Sequence, residues 1–243
     1  MQIWSLTDPG CVRTENQDAF AVQKLKHGAM LCVVCDGMGG AKAGNVASTM
    51  AAEEFAKEVK THYRPSMDME AVDLLLDQAV QKANFTIYDK AQQVPDYAGM
   101  GTTLVAALLR GKTATVVNVD DSRVYRITDE DITQITLDHS LVQMMVSRGE
   151  LTQEEARHFP GKNYITRAIG TEPTAKCDIF HLDLKRGEKI LICSDGLTNL
   201  VYDQEILFEV VHGTDQTQCC QRLLEIAKKR GAPDNVTSIL VRI

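Results

Sequence analysis

The stretch Met30-Leu31-Cys32-Val33-Val34-Cys35-Asp36-Gly37-Met38-Gly39-Gly40 decides the fold and the chemistry expected of this chain. Its first six residues are apolar and partly β-branched, which is typical of a buried strand. The run ends on Asp36, and a glycine follows at once. A strand that ends in Asp-Gly is expected to place a carboxylate beside a turn at the exposed rim of a sheet.

Three further aspartates, Asp18, Asp195 and Asp234, stand in contexts that are also expected to expose a carboxylate. Asp195 repeats the pattern of Asp36, because it ends a short apolar run and precedes a glycine. Clustered carboxylates repel one another unless a cation lies between them. Hard divalent ions such as Mg²⁺ and Mn²⁺ prefer oxygen ligands. The aspartates therefore predict a metal-dependent hydrolase that acts on a phosphate.

The composition is that of an ordinary globular protein: 243 residues, of which 44% are hydrophobic and 24% charged. No Pro/Gly/Ser-rich linker divides the chain, so we expect one domain over residues 1–243. The net charge is −7, and no stripe of Lys and Arg with interleaved aromatic residues occurs. These features argue against a nucleic-acid partner.

The seven cysteines predict reduced thiols in a cytoplasmic protein, because most of them lie in apolar strand or helix patterns. Cys32 and Cys35 have C-x-x-C spacing, but an extended strand between them disfavours redox or zinc chemistry. The N-terminal residues do not resemble a signal peptide, and no apolar stretch approaches membrane-spanning length. We therefore expect no membrane span.

Strand patterns come in hairpin-linked groups, and helix patterns come in pairs between them. This order differs from the regular alternation of a parallel doubly wound sheet, and it predicts an α+β fold of antiparallel sheets covered by helix pairs. The predicted helices are 44–62, 72–87, 141–146, 153–158, 203–211 and 216–229. The predicted strands are 3–7, 19–25, 30–35, 104–109, 114–119, 124–127, 132–135, 177–184, 190–193 and 238–243.

Eight motifs in sequence order resemble those of the metal-dependent Ser/Thr protein phosphatases of type 2C, and most closely their bacterial members. The resemblance implies an α-β-β-α sandwich, with two antiparallel sheets between helix pairs. The motifs are Arg13-Thr14-Glu15-Asn16-Gln17-Asp18, Asp36-Gly37-Met38-Gly39-Gly40, Gly101-Thr102-Thr103, Asn118-Val119-Asp120-Asp121-Ser122-Arg123, Asp138-His139-Ser140, Thr166-Arg167-Ala168-Ile169-Gly170, Ser194-Asp195-Gly196-Leu197 and Asp234-Asn235-Val236-Thr237.

The resemblance implies a set of metal ligands. Asp36 corresponds to the carboxylate that bridges two ions, and the carbonyl of Gly37 binds one of them. Asp195 and Asp234 correspond to ligands of the other ion. Asp121 matches the aspartate that, with Asp195, can hold a third ion in bacterial members. The implied cofactors are two Mn²⁺ or Mg²⁺ ions, and a third ion is an option that Asp121 and Asp195 allow.

The implied catalytic residues are Asp36, Asp18, which holds metal-bound waters, and Arg13, which binds the phosphate. Arginine can grip two phosphate oxygens at once. The implied reaction is hydrolysis of phosphoserine and phosphothreonine by a hydroxide that bridges the two ions. The implied partners are phosphorylated proteins and a Ser/Thr kinase that the chain opposes, and we expect a monomer. Residues of about 147–167 correspond to a flap beside the site, which we expect to be mobile and to select substrates.

The chain departs from the family pattern at two positions. Met38 stands where many eukaryotic members have a histidine that is a proposed general acid. Asp120 stands where the family usually has glycine, before Asp121. We interpret Asp120 as a solvent-facing or turn residue that tolerates a glycine-like conformation. The alternative is an extra carboxylate that raises metal occupancy at the site.

Other motif residues are expected to support the structure. Ser140 is expected to cap the helix that follows it, and Gly101-Thr102-Thr103 to support a strand start. Arg123 and Arg167 are expected to pair with carboxylates. The sequence alone leaves open whether His139 acts as a general acid.

Other functions are open at this point. A phosphatase for phosphorylated regulators of sigma factors would use the same chemistry with a different partner. A general hydrolase of small phosphomonoesters is not excluded by any sequence feature. A non-catalytic binding module with the same fold should have lost metal-binding aspartates, whereas the four aspartates expected to form the site are present.

Overall fold

Two antiparallel sheets, packed face to face, form the centre of the molecule. The computed structural model describes residues 1–39, 43–213 and 215–243, so Gly40 of the motif that begins at Asp36 lies outside the described residues. One pair of helices covers the outer face of each sheet. The predicted α-β-β-α sandwich is therefore confirmed.

The first sheet has five strands and contains the first and the last strand of the chain. Its spatial order is β1 (Gln2–Asp8), β11 (Val236–Arg242), β10 (Lys189–Cys193), β7 (Arg123–Ile127) and β8 (Ile132–Gln134). The second sheet has the order β2 (Asp18–Lys24), β3 (Met30–Met38), β5 (Leu104–Arg110), β6 (Thr113–Val119) and β9 (Asp178–Asp183). A short strand, β4 (Gly101–Thr102), pairs with the end of β3.

The helices that cover the sheets are amphipathic, and their apolar faces form two of the cores. On the second sheet lie α1 (Ala43–His62) and α2 (Met69–Gln93). On the first sheet lie α6 (Asp203–His212) and α7 (Cys219–Lys229). Between β8 and β9 the chain forms α3 (Leu141–Ser147) and α4 (Gln153–His158), and α5 (Asp195–Thr198) follows β10.

Alternation along β3 explains why this strand belongs to the centre of the sandwich. Leu31, Val33 and Cys35 are fully buried against the helices. Cys32 and Val34 are fully buried between the two sheets. Successive strand residues point to opposite faces, so the two thiols of the C-x-x-C spacing lie in different cores.

The structure differs from the sequence interpretation mainly at the ends of elements. β3 continues to Met38, beyond the apolar run, because β4 pairs with Gly37 and Met38. β4 and α5 were not predicted, since two and four residues are too few to show a periodic pattern. Within the described part of the chain, none of the helices combines the length and apolar character needed to cross a bilayer.

Candidate active site

Asp18 and Asp36 lie directly opposite each other on β2 and β3. Directly opposed residues of antiparallel strands place their side chains on the same face of the sheet. Asp36 continues the alternation of Cys32 and Val34, so this face is the one that looks toward the first sheet. The pairing therefore brings two carboxylates together at the end of the space between the sheets.

The first sheet contributes Asp195 and Asp234 to the same place. Asp195 begins α5 directly after β10, and Asp234 lies just before β11. Because β10 and β11 are antiparallel neighbours, the end of one and the start of the other meet at one edge. The charge of Asp195 raises the pKa of Asp36, so the carboxyls of these two residues lie close together. We call Asp18, Asp36, Asp195 and Asp234 the carboxylate cluster.

The glycines that follow Asp36 and Asp195 are required by close backbone approach. A Cβ on Gly37 would collide with the carbonyl oxygen of Gly44, and a Cβ on Gly196 would collide with that of Asn235. Any side chain at these two positions would push apart the segments that carry the carboxylates. The Asp-Gly pairs are therefore positioned by packing as well as by turn geometry.

Asp18 is buried, with only 7% of its surface exposed, so the expectation of an exposed carboxylate is wrong for this residue. Its Oδ2 accepts a hydrogen bond from the Ser194 hydroxyl at 2.7 Å, whereas its Oδ1 has no partner. Burial raises the pKa of Asp18 to about 7. Asp18 is buried because the two sheets pack together at this edge, where Ser194 of the opposite sheet covers the carboxyl.

Asp36, Asp195 and Asp121 are also difficult to ionise together. Burial raises the pKa of Asp36 well above its usual value, and the charges of Asp18 and Asp195 raise it further. Burial also raises the pKa of Asp195, with Asp234 adding to the effect, and that of Asp121. Asp121 lies between β6 and β7 and is half-buried. The site therefore carries more negative charge than the protein itself compensates.

The fit of this site to divalent ions rests on its donors. Among the described residues, no group of three carboxylate, imidazole or thiol side chains is arranged so that it could hold a metal ion as it stands. Asp234 Oδ2 instead accepts a hydrogen bond from Arg13 Nη2 at 3.0 Å. The donors are nonetheless all oxygens, carry excess negative charge and include the unpartnered Oδ1 of Asp18. This set of oxygen donors suits a hard cation. To bind one, Asp234 would have to release Arg13.

Arg13 lies at the outer rim of the cluster with 53% of its side chain exposed. Its loop is held by Asn235, whose side-chain amide donates to the carbonyls of Pro9 and Glu15. Asp234 raises the pKa of Arg13 through a hydrogen bond and its charge. Sequence analysis assigned no role to Asn235, although it stands beside Asp234 in a quoted motif.

Two threonines and an asparagine fix the backbone and side chains of the cluster. Thr103 Oγ1 accepts from the Asp36 N–H at 2.8 Å, and Thr102 Oγ1 donates to the Asp36 carbonyl at 2.7 Å. The supporting role expected of this motif is thus confirmed. Asn199 Nδ2 donates to Asp195 Oδ2 at 2.8 Å, a contact that sequence analysis missed. The four-residue spacing on a helix was the available signal.

Asp120 adopts the glycine-like conformation expected of it, with φ of 93°. It is fully buried and neither of its carboxyl oxygens has a partner, so the expectation of a solvent-facing side chain is wrong. The reason is its backbone, which is tied inward: its N–H donates to His139 Nδ1, and its carbonyl accepts from Asn118 Nδ2. Burial raises the pKa of Asp120 to about 10.

Residues expected to support the structure do so. Ser140 caps α3 through its side chain. Arg123 pairs with Asp138 through two nitrogens, and Arg167 donates to Asp178 at 2.8 Å. His139 uses both ring nitrogens inside the protein, since its Nε2 lies 2.9 Å from Asp178 Oδ2. This engagement favours a structural role for His139.

The segment expected to form a flap contains α4 and borders a cleft of about 320 Å³ that Asp121 and Asp195 line from the other side. Lys162 Nζ lies 3.5 Å from Asn199 Oδ1, which links the segment to the residue that holds Asp195. Arg157 of α4 stacks over the Tyr202 ring at 4.7 Å. The segment is therefore attached to α5 and to the start of α6.

Comparison with known proteins places this geometry in a family. Residues 12–240 match the family described as Protein phosphatase 2C. A relative from Listeria innocua, the serine/threonine phosphatase stp, is 34% identical over 97% of this chain and 93% of its own length. The crystal structure of the serine/threonine phosphatase Stp1 from Staphylococcus aureus has a TM-score of 0.94 at 36% identity, covering 100% of this chain and 95% of that one.

A third neighbour is a structure of the catalytic domain of the serine threonine protein phosphatase PstP in complex with two manganese ions. Its TM-score is 0.85 at 32% identity, with 98% of this chain and 96% of that chain covered. The chain belongs to the protein phosphatase 2C family. The resemblance inferred from the motifs is confirmed.

Proposed function

We propose that this chain is a metal-dependent phosphatase that hydrolyses phosphoserine and phosphothreonine in proteins. The observation that carries the proposal is the convergence of the carboxylate cluster from both sheets, with Arg13 exposed at its rim. Membership of the protein phosphatase 2C family and similarity to named Ser/Thr phosphatases support it.

The role proposed for each residue follows from its position in the site. Asp36, the Gly37 carbonyl, Asp195 and Asp234 would hold two divalent ions, which when bound activate a water and neutralise phosphate oxygens. Asp18 is buried beside these residues and would orient metal-bound water. Arg13, released from Asp234, would grip the phosphate and orient it for in-line attack.

Nearby nucleophilic side chains are not activated, which favours direct attack by water. The thiol of Cys35 is fully buried, and burial raises its pKa far above the usual value. The Ser194 hydroxyl donates to Asp18 and accepts from the Thr237 N–H at 3.0 Å. Neither group is free to form a phosphoenzyme.

Asp121 carries the proposal for a third ion. It lies on the same cleft as Asp195 and close enough to raise the pKa of Asp36. We infer that Asp121 and Asp195 hold this ion loosely and that Mg²⁺ can replace Mn²⁺ at the site. Asp121→Ala should then reduce activity only at limiting metal.

The decisive experiment is turnover of a phosphothreonine peptide with and without metal. Activity should appear with Mn²⁺ or Mg²⁺ and vanish after chelation, because the proposed nucleophile is a water that the bound ions activate. Full turnover after exhaustive chelation would contradict the proposed metal-dependent mechanism. A trapped phosphoenzyme on Ser, Cys, His or Asp would exclude direct attack by water.

Substitutions separate metal binding from phosphate binding. Asp36→Ala should abolish turnover and Mn²⁺ binding, since it removes the ligand shared by both ions. Arg13→Ala should keep Mn²⁺ binding and mainly raise KM. Calorimetric Mn²⁺ titration beside steady-state kinetics distinguishes the two effects. If Arg13→Ala lost the metal and Asp36→Ala kept it, the assigned roles would be wrong.

The partners follow from the chemistry. A phosphatase for phosphorylated Ser and Thr must act on the products of a Ser/Thr kinase, and we propose that this chain opposes one. We further propose that it acts as a monomer in the cytoplasm. Light scattering and cell fractionation check these two points.

A further inference from the structure

A second groove, of about 400 Å³, is lined by Met38 and by residues between 165 and 176. We call it the Met38 groove, and its lining includes Met38, Ile165, Ala168, Thr171, Thr174 and Lys176. None of these residues belongs to the carboxylate cluster or to the lining of the flap cleft. The Met38 groove is therefore separate from the flap cleft.

The floor of the Met38 groove is fixed to α2 by two side-chain amides. Asn84, which is fully buried, donates to the Glu172 carbonyl at 3.0 Å and accepts from the Gly170 N–H at 2.7 Å. Gln81 makes the same pair of contacts with the backbone of Ala175, at 2.7 and 3.3 Å. Asn84 is buried and Gln81 half-buried, and amides with both functions satisfied hold a loop in one conformation. The groove is therefore preformed.

The groove is continuous with the place where the phosphate would bind. Ile169 exchanges two backbone hydrogen bonds with Thr102, at 3.0 and 2.9 Å. Thr102 in turn pairs with Gly37 and donates to the Asp36 carbonyl. Met38, which lines the groove, follows Gly37 directly. A ligand in the groove and a phosphate at Asp36 are thus held in one rigid frame.

The lining favours an apolar side chain over a second phosphate. Met38, Ile165 and Ala168 supply apolar surface, and methionine adapts to side chains of different shape. The charge of Arg167 is already engaged by Asp178 at 2.8 Å. Lys176 stands on the same rim as the acidic Glu172. The groove thus lacks the clustered cations that a phosphate site needs.

We propose that the Met38 groove binds an aliphatic side chain of the substrate polypeptide, a few residues from the phosphorylated Ser or Thr. The inference rests on the proposed function and adds a determinant of substrate choice to it. An extended peptide advances about 3.3–3.6 Å per residue, so a flanking residue reaches a groove that borders the phosphate site. A groove of this volume has ample room for one such side chain.

The test uses short phosphothreonine peptides whose flanking residues are glycine, with leucine moved through each position on either side. Leucine at one position should lower KM about tenfold, because its burial in the groove removes apolar surface from water. Ala168→Phe fills the groove and should remove this advantage. Thr133→Phe, on the exposed edge strand β8, is the matched control and should keep it.

Thr174→Glu provides a second variant at an exposed position, where folding is not at risk. A charge at the rim should also reduce the leucine advantage, whereas Thr133→Glu should not. A leucine advantage that survives both groove variants, or its absence at every position in the unmodified chain, would overturn the proposal. Turnover of the all-glycine peptide tests the proposed function separately, since it does not depend on the groove.

Discussion

At the scale of single residues, Asp120 combines a left-handed backbone conformation with a buried carboxyl that has no partner. Both features destabilise the folded chain, since a non-glycine residue at this φ is strained and a buried unpaired polar group is costly. Asp120→Gly removes both. We expect it to raise the free energy of unfolding by about 1–3 kcal/mol. Asp120→Asn is the matched control, because it keeps the backbone strain and a polar side chain of the same size but cannot ionise.

The gain from Asp120→Gly should depend on pH with a defined sign. Burial raises the folded-state pKa of Asp120 to about 10, whereas the unfolded value is near 3.8. Between these values the unfolded chain releases a proton that the folded chain keeps, so the unmodified protein loses stability as pH rises. Urea unfolding in chelator at pH 5 and pH 8 should show a larger gain at pH 8. A gain that is equal or smaller at pH 8 would contradict this account.

The sequence identified the members of the carboxylate cluster but not their surroundings. Asp36 and Asp195 were recognisable because an apolar run and a glycine flank each of them. The burial of Asp18 and Asp120 was not, because it depends on the opposite sheet and on His139, which are distant in the chain. These residues become buried only when the two sheets and the surrounding loops pack together, so local sequence patterns do not predict their burial.

At the scale of elements, α5 connects the flap segment to the cluster. Asn199 at its end holds Asp195 at 2.8 Å and lies 3.5 Å from Lys162. A side chain that orients a metal ligand commonly changes metal affinity by an order of magnitude or more when it is removed. The flap segment therefore has a physical route to one of the carboxylates that would bind metal.

We expect Asn199→Ala to weaken Mn²⁺ binding about tenfold. Lys162→Met should have a smaller effect in the same direction, since its contact with Asn199 is at the long limit for a hydrogen bond. Lys112→Met, in the exposed turn between β5 and β6, is the control. Calorimetric Mn²⁺ titration measures all three. Unchanged affinity in Asn199→Ala would remove the proposed route.

Elements with a long apolar pattern were predicted to within a few residues, whereas α5 and β4 were not predicted. Periodicity needs several residues to be visible. The helix predicted to begin at residue 216 begins instead as a short 3₁₀ turn, Gln216–Gln218, before α7. The short elements matter most for the site, because α5 carries Asp195 and β4 supports Asp36.

At the scale of the whole molecule, the cluster draws its carboxylates from both sheets, two from each. In the absence of a cation, their mutual repulsion opposes the packing of the sheets at this edge. An ion held by residues of both sheets would reverse the sign of that contribution. Metal binding and stability of the sandwich should therefore be coupled.

Mn²⁺ at about 100 times its Kd should stabilise the protein by about 2.7 kcal/mol, which corresponds to a rise in Tm of about 5–10 °C. Asp36→Asn should lose this rise, yet melt above the unmodified protein in chelator, because one repelling charge is gone. Differential scanning calorimetry with and without Mn²⁺ measures both effects. An equal rise in Asp36→Asn would show that the ion binds elsewhere.

The carboxylate cluster also has a consequence for descent. Burial and mutual repulsion make Asp18, Asp36 and Asp195 destabilising in the metal-free fold, so their substitution by a neutral residue is favourable for folding whenever turnover is no longer needed. A lineage released from selection on catalysis should drift toward asparagine, serine or glycine at these positions and keep the sandwich. Inactive descendants of this fold should therefore be at least as stable as the active chain without metal. We therefore expect selection for turnover to be what keeps Asp18, Asp36, Asp195 and Asp234 together in one chain.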